Sequence, residues 1–362
     1  MKNISIMIKP ASSMCNMQCR YCFYRDVSNN RDTFSYGLMS NEIASKVLKN
    51  IFADISPGAS LTIAFQGGEP TMAGLDFYER FVTKAKSMAN GISLAWAFQT
   101  NGLNIDDRWC QFFVKHKFLV GLSLDVVDHN ANRVDINGKG TWNTVLNAQR
   151  QFIKHGVKYN ILCVLTNQLA RYPSRVWKSL NQLNVEYVQF IPCLSDLHKS
   201  TPMGLTPERF ASFYNNIIPL WHKAFAAGKY ISIKLIDDII NLLAKKTVNA
   251  CGLTGQCSPQ FVIESDGGVY PCDFYVMDKY RIGNMCEKSL NHHFESDIMQ
   301  SFLSKDKEEN KLCISCKFRG ICNGGCKRMK DAMYISHNDE FCGYGDILSK
   351  NWGVFCDVAR TI

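Results

Sequence analysis

Three cysteines spaced C-x3-C-x2-C, Cys15, Cys19 and Cys22, follow the first apolar run of the chain, Ile4 to Ile8. Three converging thiolates can hold a [4Fe-4S] cube and leave one iron without a protein ligand, open to a substrate or cofactor, whereas electron-transfer cubes take four. Zinc or simple burial remains open on this spacing alone. Further along stand Cys251, Cys257 and Cys272, then Cys313-x2-Cys316-x5-Cys322-x3-Cys326, and finally Cys342. Eight such residues suit two four-thiolate sites, iron–sulfur or zinc. The five others, Cys110, Cys163, Cys193, Cys286 and Cys356, follow no ligand spacing, and Cys110 and Cys163 lie on apolar faces that read as core. A Gly67-Gly68-Glu69-Pro70 tetrapeptide ends the second apolar run. Its two glycines would let a backbone edge approach the amino and carboxylate groups of a bound ligand, which a Cβ would obstruct.

These residues need a scaffold, and before residue 200 the chain alternates β-rich runs with stretches of helical period. The predicted strands are Ile4 to Ile8, Leu61 to Gln66, Ser93 to Gln99, Phe118 to Asp125, Tyr159 to Thr166 and Glu186 to Pro192, each expected to be buried on both faces of a parallel sheet. Between them, Ser40, Asp106 and Thr141 precede predicted helices over Asn41 to Phe52, Asp107 to His116 and Trp142 to His155. Six consecutive βα units argue for an α/β fold, a partial (β/α)6 barrel with its chemistry at the carboxyl ends of the strands. Beyond it, 206–228 reads as a helix, Tyr230 to Ile236 as a short strand and Asp237 to Lys246 as a helix. From 250 to 342 the sequence is loop-rich, so two domains are expected: 1–247, and 248–362, the latter ending in a helix and held together by metal.

Sixteen cysteines in 362 residues are too sparse for a small disulfide scaffold. No apolar stretch reaches the length of about 18 residues that a membrane span needs, and the first residues do not read as a secretory leader. The expectation is a cytoplasmic protein with reduced thiols and no membrane partner. A formal charge of +9 would permit an acidic partner, but the basic residues are dispersed, without an aromatic-interleaved stripe, and no nucleic acid is expected.

The C-x3-C-x2-C triplet with Tyr21 before its third cysteine, joined to Gly67-Gly68-Glu69-Pro70, resembles the signature of the radical S-adenosylmethionine (SAM) enzymes. The C-terminal cysteines resemble the SPASM domain, the auxiliary-cluster extension of radical SAM enzymes that modify peptides and proteins. The likeness is closest to the anaerobic sulfatase-maturating enzymes and covers nearly the whole chain, through Ile8-Lys9-Pro10-Ala11-Ser12-Ser13, Cys22-Phe23-Tyr24, Ala64-Phe65-Gln66-Gly67-Gly68-Glu69-Pro70-Thr71, Gln99-Thr100-Asn101-Gly102 and Val269-Tyr270-Pro271-Cys272-Asp273-Phe274-Tyr275.

The resemblance implies three [4Fe-4S] clusters and SAM. One cluster would sit on Cys15, Cys19 and Cys22, and two auxiliary clusters on Cys251, Cys257, Cys272 and Cys326, and on Cys313, Cys316, Cys322 and Cys342. SAM would contact Tyr21, Gly68, Ser123, Arg133 and Leu194, and Asp273 would be the catalytic proton acceptor, with Asp237 the rival acid. Tyr24 and Gln66 would face the substrate. The implied activity is a radical SAM oxidoreductase that oxidises a Cys or Ser of a sulfatase to Cα-formylglycine, releasing 5′-deoxyadenosine and methionine. The alternative is a maturase of a ribosomally made peptide, forming thioethers or epimerising residues. A sulfatase or peptide substrate and a flavodoxin- or ferredoxin-like electron donor would be the partners. One departure stands out: after Ser123-Leu124-Asp125 the family usually continues with Gly-Pro and a longer loop, whereas Val126-Val127-Asp128 follows here.

Overall fold

A computed structural model describes residues 2–246, 250–304 and 310–362, and the boundary expected at 247 lies outside the described residues. The chain forms two compact units interleaved along the sequence. The first comprises 1–123, 130–159 and 259–305, and the second 124–129, 160–258 and 306–362.

Seven strands belong to the first unit: β1 (Asn3–Lys9), β2 (Ser60–Phe65), β3 (Ser93–Thr100), β4 (Leu119–Ser123), and later β8 (Phe261–Glu264), β9 (Gly268–Tyr270) and β10 (Gly283–Asn284). Three more are β5 (Lys158–Leu165), which begins in the first unit and continues in the second, β6 (Tyr187–Pro192) and β7 (Ser232–Ile233). In the first unit the order is β10-β9-β8-β1-β2-β3-β4, an open, mixed sheet in which β8, β1, β2, β3 and β4 run parallel, β9 turns back against β8, and β10 is antiparallel to β9. β8 is an addition that the six-repeat reading did not contain. It is buried at every residue, and its parallel register sets Glu264 opposite Lys9.

Each predicted strand of the βα series appears, its ends shifted by a residue or two; burial is two-sided along β4 from Val120 to Ser123 but one-sided along β2. Along β2, Leu61, Ile63 and Phe65 are buried while Ser60, Thr62 and Ala64 are half-covered. The covered face packs on aromatics, with the Phe65 ring 5.0 Å from Tyr78 and 5.2 Å from Phe81 of helix Leu75–Met88 in edge-to-face geometry. The opposite face carries small side chains, Thr62, Ala64, Ala95 and Ala97, which leave room that larger residues would fill.

Helices Asn41–Phe52, Asp107–His116 and Trp142–His155 have the expected bounds. Ser40 accepts from the Ile43 amide and Asp106 from the Trp109 amide, each satisfying a first-turn donor. Thr141 does not cap: its hydroxyl donates to the Arg133 carbonyl at 3.2 Å.

In the second unit β5, β6 and β7 are parallel. The strand expected over Tyr230 to Ile236 shrinks to Ser232–Ile233, because helix Lys234–Lys245 starts there and buries Ile236, Ile239 and Ile240 at helical spacing. Helices Pro207–Ala226 and Gly343–Ala359 pack together, tied by Asn215 to Asp346 at 2.7 Å and Asn351 to Asn215 at 2.8 Å. No helix among the described residues is long and apolar enough to cross a membrane.

Candidate active site

The loop after β1 carries Cys15, Cys19 and Cys22, and the glycine pair after β2 beds it. The Gly68 amide donates to the Ser12 carbonyl at 2.7 Å and the Glu69 amide to the Met14 carbonyl at 2.8 Å. A Cβ on Gly68 would lie 2.0 Å from the Met14 carbonyl oxygen, and Gly67 adopts φ 132° with its Cβ position 2.9 Å from the Ser12 carbonyl oxygen. The glycines therefore admit the cysteine loop's own backbone, a packing reason separate from ligand approach.

Glu69 fixes this junction from inside. Its buried carboxylate accepts from the Thr71 amide and hydroxyl, the Thr100 hydroxyl at 2.8 Å and the Asn101 amide at 2.7 Å, joining the ends of β2 and β3. Burial raises its pKa, and these hydrogen bonds oppose the rise.

The three thiols sense one another. Cys15 is pushed up to about 12, first by burial, then by Glu69, with Cys19 and Cys22 adding to the rise. Thiolates here need a compensating cation, as an iron–sulfur cluster supplies. The surroundings fit sulfur that bears negative charge: the Met17 amide points at Cys15 Sγ at 3.4 Å, Asn101 Nδ2 at 3.7 Å, and Arg133 at Cys19 Sγ at 3.8 Å.

Of the expected SAM contacts, Tyr21 and Arg133 meet, the guanidinium carbon lying 5.4 Å from the ring centroid. Gly68 borders the loop, and Ser123 is buried at the carboxyl end of β4. Leu194 is a buried residue of the second unit, just past β6. In the departing loop, Asp128 adopts φ 56°, Asp125 Oδ1 accepts from the Val164 amide at 3.1 Å, and the Asp125 amide donates to His129 Nδ1 at 3.2 Å.

Asp273 opens the short turn Asp273–Tyr275 and is buried in the first unit. Oδ1 pairs with Lys9 Nζ at 2.5 Å and Oδ2 accepts from Gln66 Nε2 at 2.9 Å, so the ends of β1 and β2 both grip it. Tyr24 is buried beside them, its hydroxyl donating to Glu264, while Arg31 holds that carboxylate at 2.9 Å. Burial foremost, then the Glu264 charge, drives the Tyr24 phenol well above its ordinary pKa. Sequence reasoning assigned no role to Lys9, Arg31 or Glu264. A lysine closing an otherwise apolar strand was the available signal. Asp237, the rival acid, lies in the second unit with Tyr230 and Ser232 as hydroxyl partners.

The second unit gathers Cys313, Cys316, Cys322 and Cys342. Burial first, then Cys342, Cys316 and Cys313, pushes Cys322 up to about 11, and burial followed by Cys313 and Cys316 raises Cys342. Cys251 feels Cys326 and Cys257 in the same way, after burial, and a Cβ on Gly252 would lie 2.8 Å from Cys326 Cβ. Cys272 belongs to the first unit, directly before Asp273. Among the described residues no three Cys, His, Asp or Glu side chains are drawn to one point tightly enough for a single metal ion, a condition that a four-iron cube with thiolates at separate corners does not impose.

Comparison with known proteins matches two families. The radical SAM superfamily covers residues 10–169, and the SPASM iron–sulfur cluster-binding domain covers 251–317. The cysteine-type anaerobic sulfatase-maturating enzyme of Clostridium novyi (strain NT) is 37% identical over 371 aligned residues, covering 100% of this chain and 99% of that protein. The serine-type anaerobic sulfatase-maturating enzyme of Klebsiella pneumoniae is 28% identical, covering 95% of this chain and 87% of that one. The solved structure of native anSMEcpe with bound AdoMet and Kp18Cys peptide superposes with a TM-score of 0.91 at 34% identity, over 99% of this chain and 100% of that one. With 37% identity maintained end to end, this chain belongs to the anaerobic sulfatase-maturating enzymes of the radical SAM superfamily.

Proposed function

We propose that this protein oxidises the cysteine of a sulfatase-type motif to Cα-formylglycine, with Asp273 as the group that takes the thiol proton. The observation that carries this reading is the Asp273 carboxylate, fixed by Lys9 and Gln66 at the carboxyl ends of β1 and β2, in the same unit as the cysteine triplet. Cysteine rather than serine is favoured because the cysteine-type relative is 37% identical and the serine-type one 28%.

Cys15, Cys19 and Cys22 hold the SAM-binding cluster. Cys251, Cys257, Cys272 and Cys326 hold one auxiliary cluster, and Cys313, Cys316, Cys322 and Cys342 the other. Tyr21, Gly68, Ser123, Arg133 and Leu194 bind SAM. When bound, the cluster and SAM supply the one-electron chemistry that removes a hydrogen atom from the target β-carbon, with methionine and 5′-deoxyadenosine as co-products. Gln66 donates to Oδ2 and Lys9 faces Oδ1 as an ion pair, and a remaining lone pair on Oδ2 accepts the thiol proton. Removal of one hydrogen atom, one proton to Asp273 and one further electron, passed to an auxiliary cluster on the C-terminal cysteines, leaves a thioaldehyde from the CH2–SH group, and water exchanges its sulfur for oxygen with release of hydrogen sulfide. A flavodoxin- or ferredoxin-like donor supplies the reducing electron, and the protein works in the cytoplasm.

The test is anaerobic reconstitution with iron and sulfide, then incubation with SAM, reductant and peptides carrying Cys-x-Pro-x-Arg or Ser-x-Pro-x-Arg. A mass loss of about 18 Da on the cysteine peptide is the expected result, and conversion of neither peptide overturns the reading.

A further inference from the structure

We propose that Lys9 is the positioning residue of Asp273, and that Tyr24 serves as the seat of Lys9 and donates no hydrogen bond to substrate. The proposal rests on the reading of Asp273 given above.

Four charged side chains lie buried around one tyrosine in the first unit: Lys9, Arg31, Glu264 and Asp273. Backbone register would pair Lys9 with Glu264, its partner across β1 and β8. The side chains divide otherwise. Arg31 reaches Glu264 at 2.9 Å, and its other terminal nitrogen donates to the Ser12 hydroxyl at 3.2 Å and the Phe34 carbonyl at 2.9 Å. The Tyr24 hydroxyl also donates to Glu264, so that carboxylate is satisfied without Lys9. Lys9 Nζ stands instead 3.8 Å from the Tyr24 ring centroid, a cation–π seat, and 2.5 Å from Asp273 Oδ1.

Its commitment is single. The Lys9 side chain is fully buried, and beyond its ion pair with Asp273 Nζ has no hydrogen-bond partner among the described residues. A buried ammonium is costly unless it is paired, so one carboxylate and one ring face determine where it rests. The tyrosine separates the two ion pairs, ring face toward Lys9 and hydroxyl toward Glu264, and its only donor is thereby committed to Glu264. Lys9 thereby fixes one oxygen of Asp273, Gln66 fixes the other, and the carboxylate plane is set before substrate arrives.

The experiment compares formylglycine with 5′-deoxyadenosine for the reconstituted enzyme on the Cys-x-Pro-x-Arg peptide, with iron content and melting temperature followed in parallel. Lys9→Met is expected to lower kcat for formylglycine about 30-fold, with peptide KM changed less than about twofold and 5′-deoxyadenosine release retained. Lys9→Arg, which keeps the charge, should recover at least about a third of the loss. The double variant Lys9→Met/Asp273→Asn removes both charges and stays balanced if Lys9→Met alone folds poorly, and it should be no slower than Asp273→Asn. Multiplying defects in the double variant, or equal falls in both products with Lys9→Met, would overturn the positioning role. Failure of the unsubstituted enzyme to make formylglycine would overturn the function, and this proposal with it. Full formylglycine production by Lys9→Met would overturn only the proposal.

Discussion

The Cys15–Cys22 loop and the Cys313–Cys342 region gather the same side-chain chemistry on opposite kinds of support. The first rests on backbone hydrogen bonds from the ends of parallel strands, with Gly68 and Glu69 amides on the Ser12 and Met14 carbonyls. The second stands on two four-residue helices, Lys311–Ile314 and Arg319–Cys322, joined by turns. From Lys311 to Cys326 only Phe318, Cys322 and Gly325 are buried, and apolar cover returns only at Ala332 to Ile335. The difference teaches that a cysteine loop can be shaped before metal arrives where a sheet carries it, whereas a stretch with as little apolar burial as 311–326 depends on metal for its shape.

Removing ligands from each site is the strongest way to break this comparison. Cys15→Ala/Cys19→Ala should cost about four of about twelve irons per chain and at least about 1,000-fold in SAM cleavage, while the melting temperature moves less than about 3 °C. Cys316→Ala/Cys322→Ala should lose a similar amount of iron and lower the melting temperature by more than about 5 °C. Equal melting shifts in the two proteins, read by calorimetry beside iron analysis, would refute the contrast.

Within the first unit the comparison sharpens between the cysteine loop and the acid. Asp273→Asn should cut formylglycine about 100-fold at nearly unchanged SAM cleavage, because an amide keeps the shape but takes no proton. Mass spectrometry of the peptide against 5′-deoxyadenosine gives the ratio directly.

Two glycines test the supports themselves. At Gly68 an added Cβ meets the Met14 carbonyl at 2.0 Å, and at Gly255, where φ is 77°, it meets the Asn323 carbonyl at 2.3 Å. Both neighbours are backbone, so each alanine variant should lose about 2 kcal/mol. Only Gly68→Ala should also slow SAM cleavage, by about tenfold, because it displaces the loop that carries Cys15. An equal slowing by Gly255→Ala would erase the distinction.

The sequence made the βα series and the cysteine groups legible for different reasons. Strand runs such as Leu61 to Phe65 and capped helices such as Asn41–Phe52 are local signals, and they appear with nearly the expected bounds. The triplet and the tetrapeptide could be paired because both follow strands. What stayed hidden was long-range. β8 joins β1 across some 250 residues of chain, and no local pattern marks Phe261–Glu264 as a sheet partner of Asn3–Lys9. With β8 comes Glu264, and with Glu264 the reason Tyr24 turns its hydroxyl away and leaves Lys9 to Asp273. The charges of a buried network can be read in sequence, but which cation takes which anion is decided by register.

The smallest expected effect concerns pH and the supporting sheet unit. His116, at the end of helix Asp107–His116, has its pKa lowered by burial first and then by the Lys86 ammonium, whose nitrogen lies 2.9 Å from Nδ1. His293, also in the first unit, is lowered mainly by burial. A histidine whose folded pKa is depressed contributes its full stability above the unfolded value near 6.5. That contribution falls as pH drops from about 6.5 toward the folded pKa, because the unfolded chain binds the proton first. The unfolding midpoint in urea should therefore decline between pH 7 and pH 5.5. His116→Gln, which does not titrate, should flatten part of that decline, and a slope unchanged by the substitution would show that His116 protonation does not limit the acid stability of this unit.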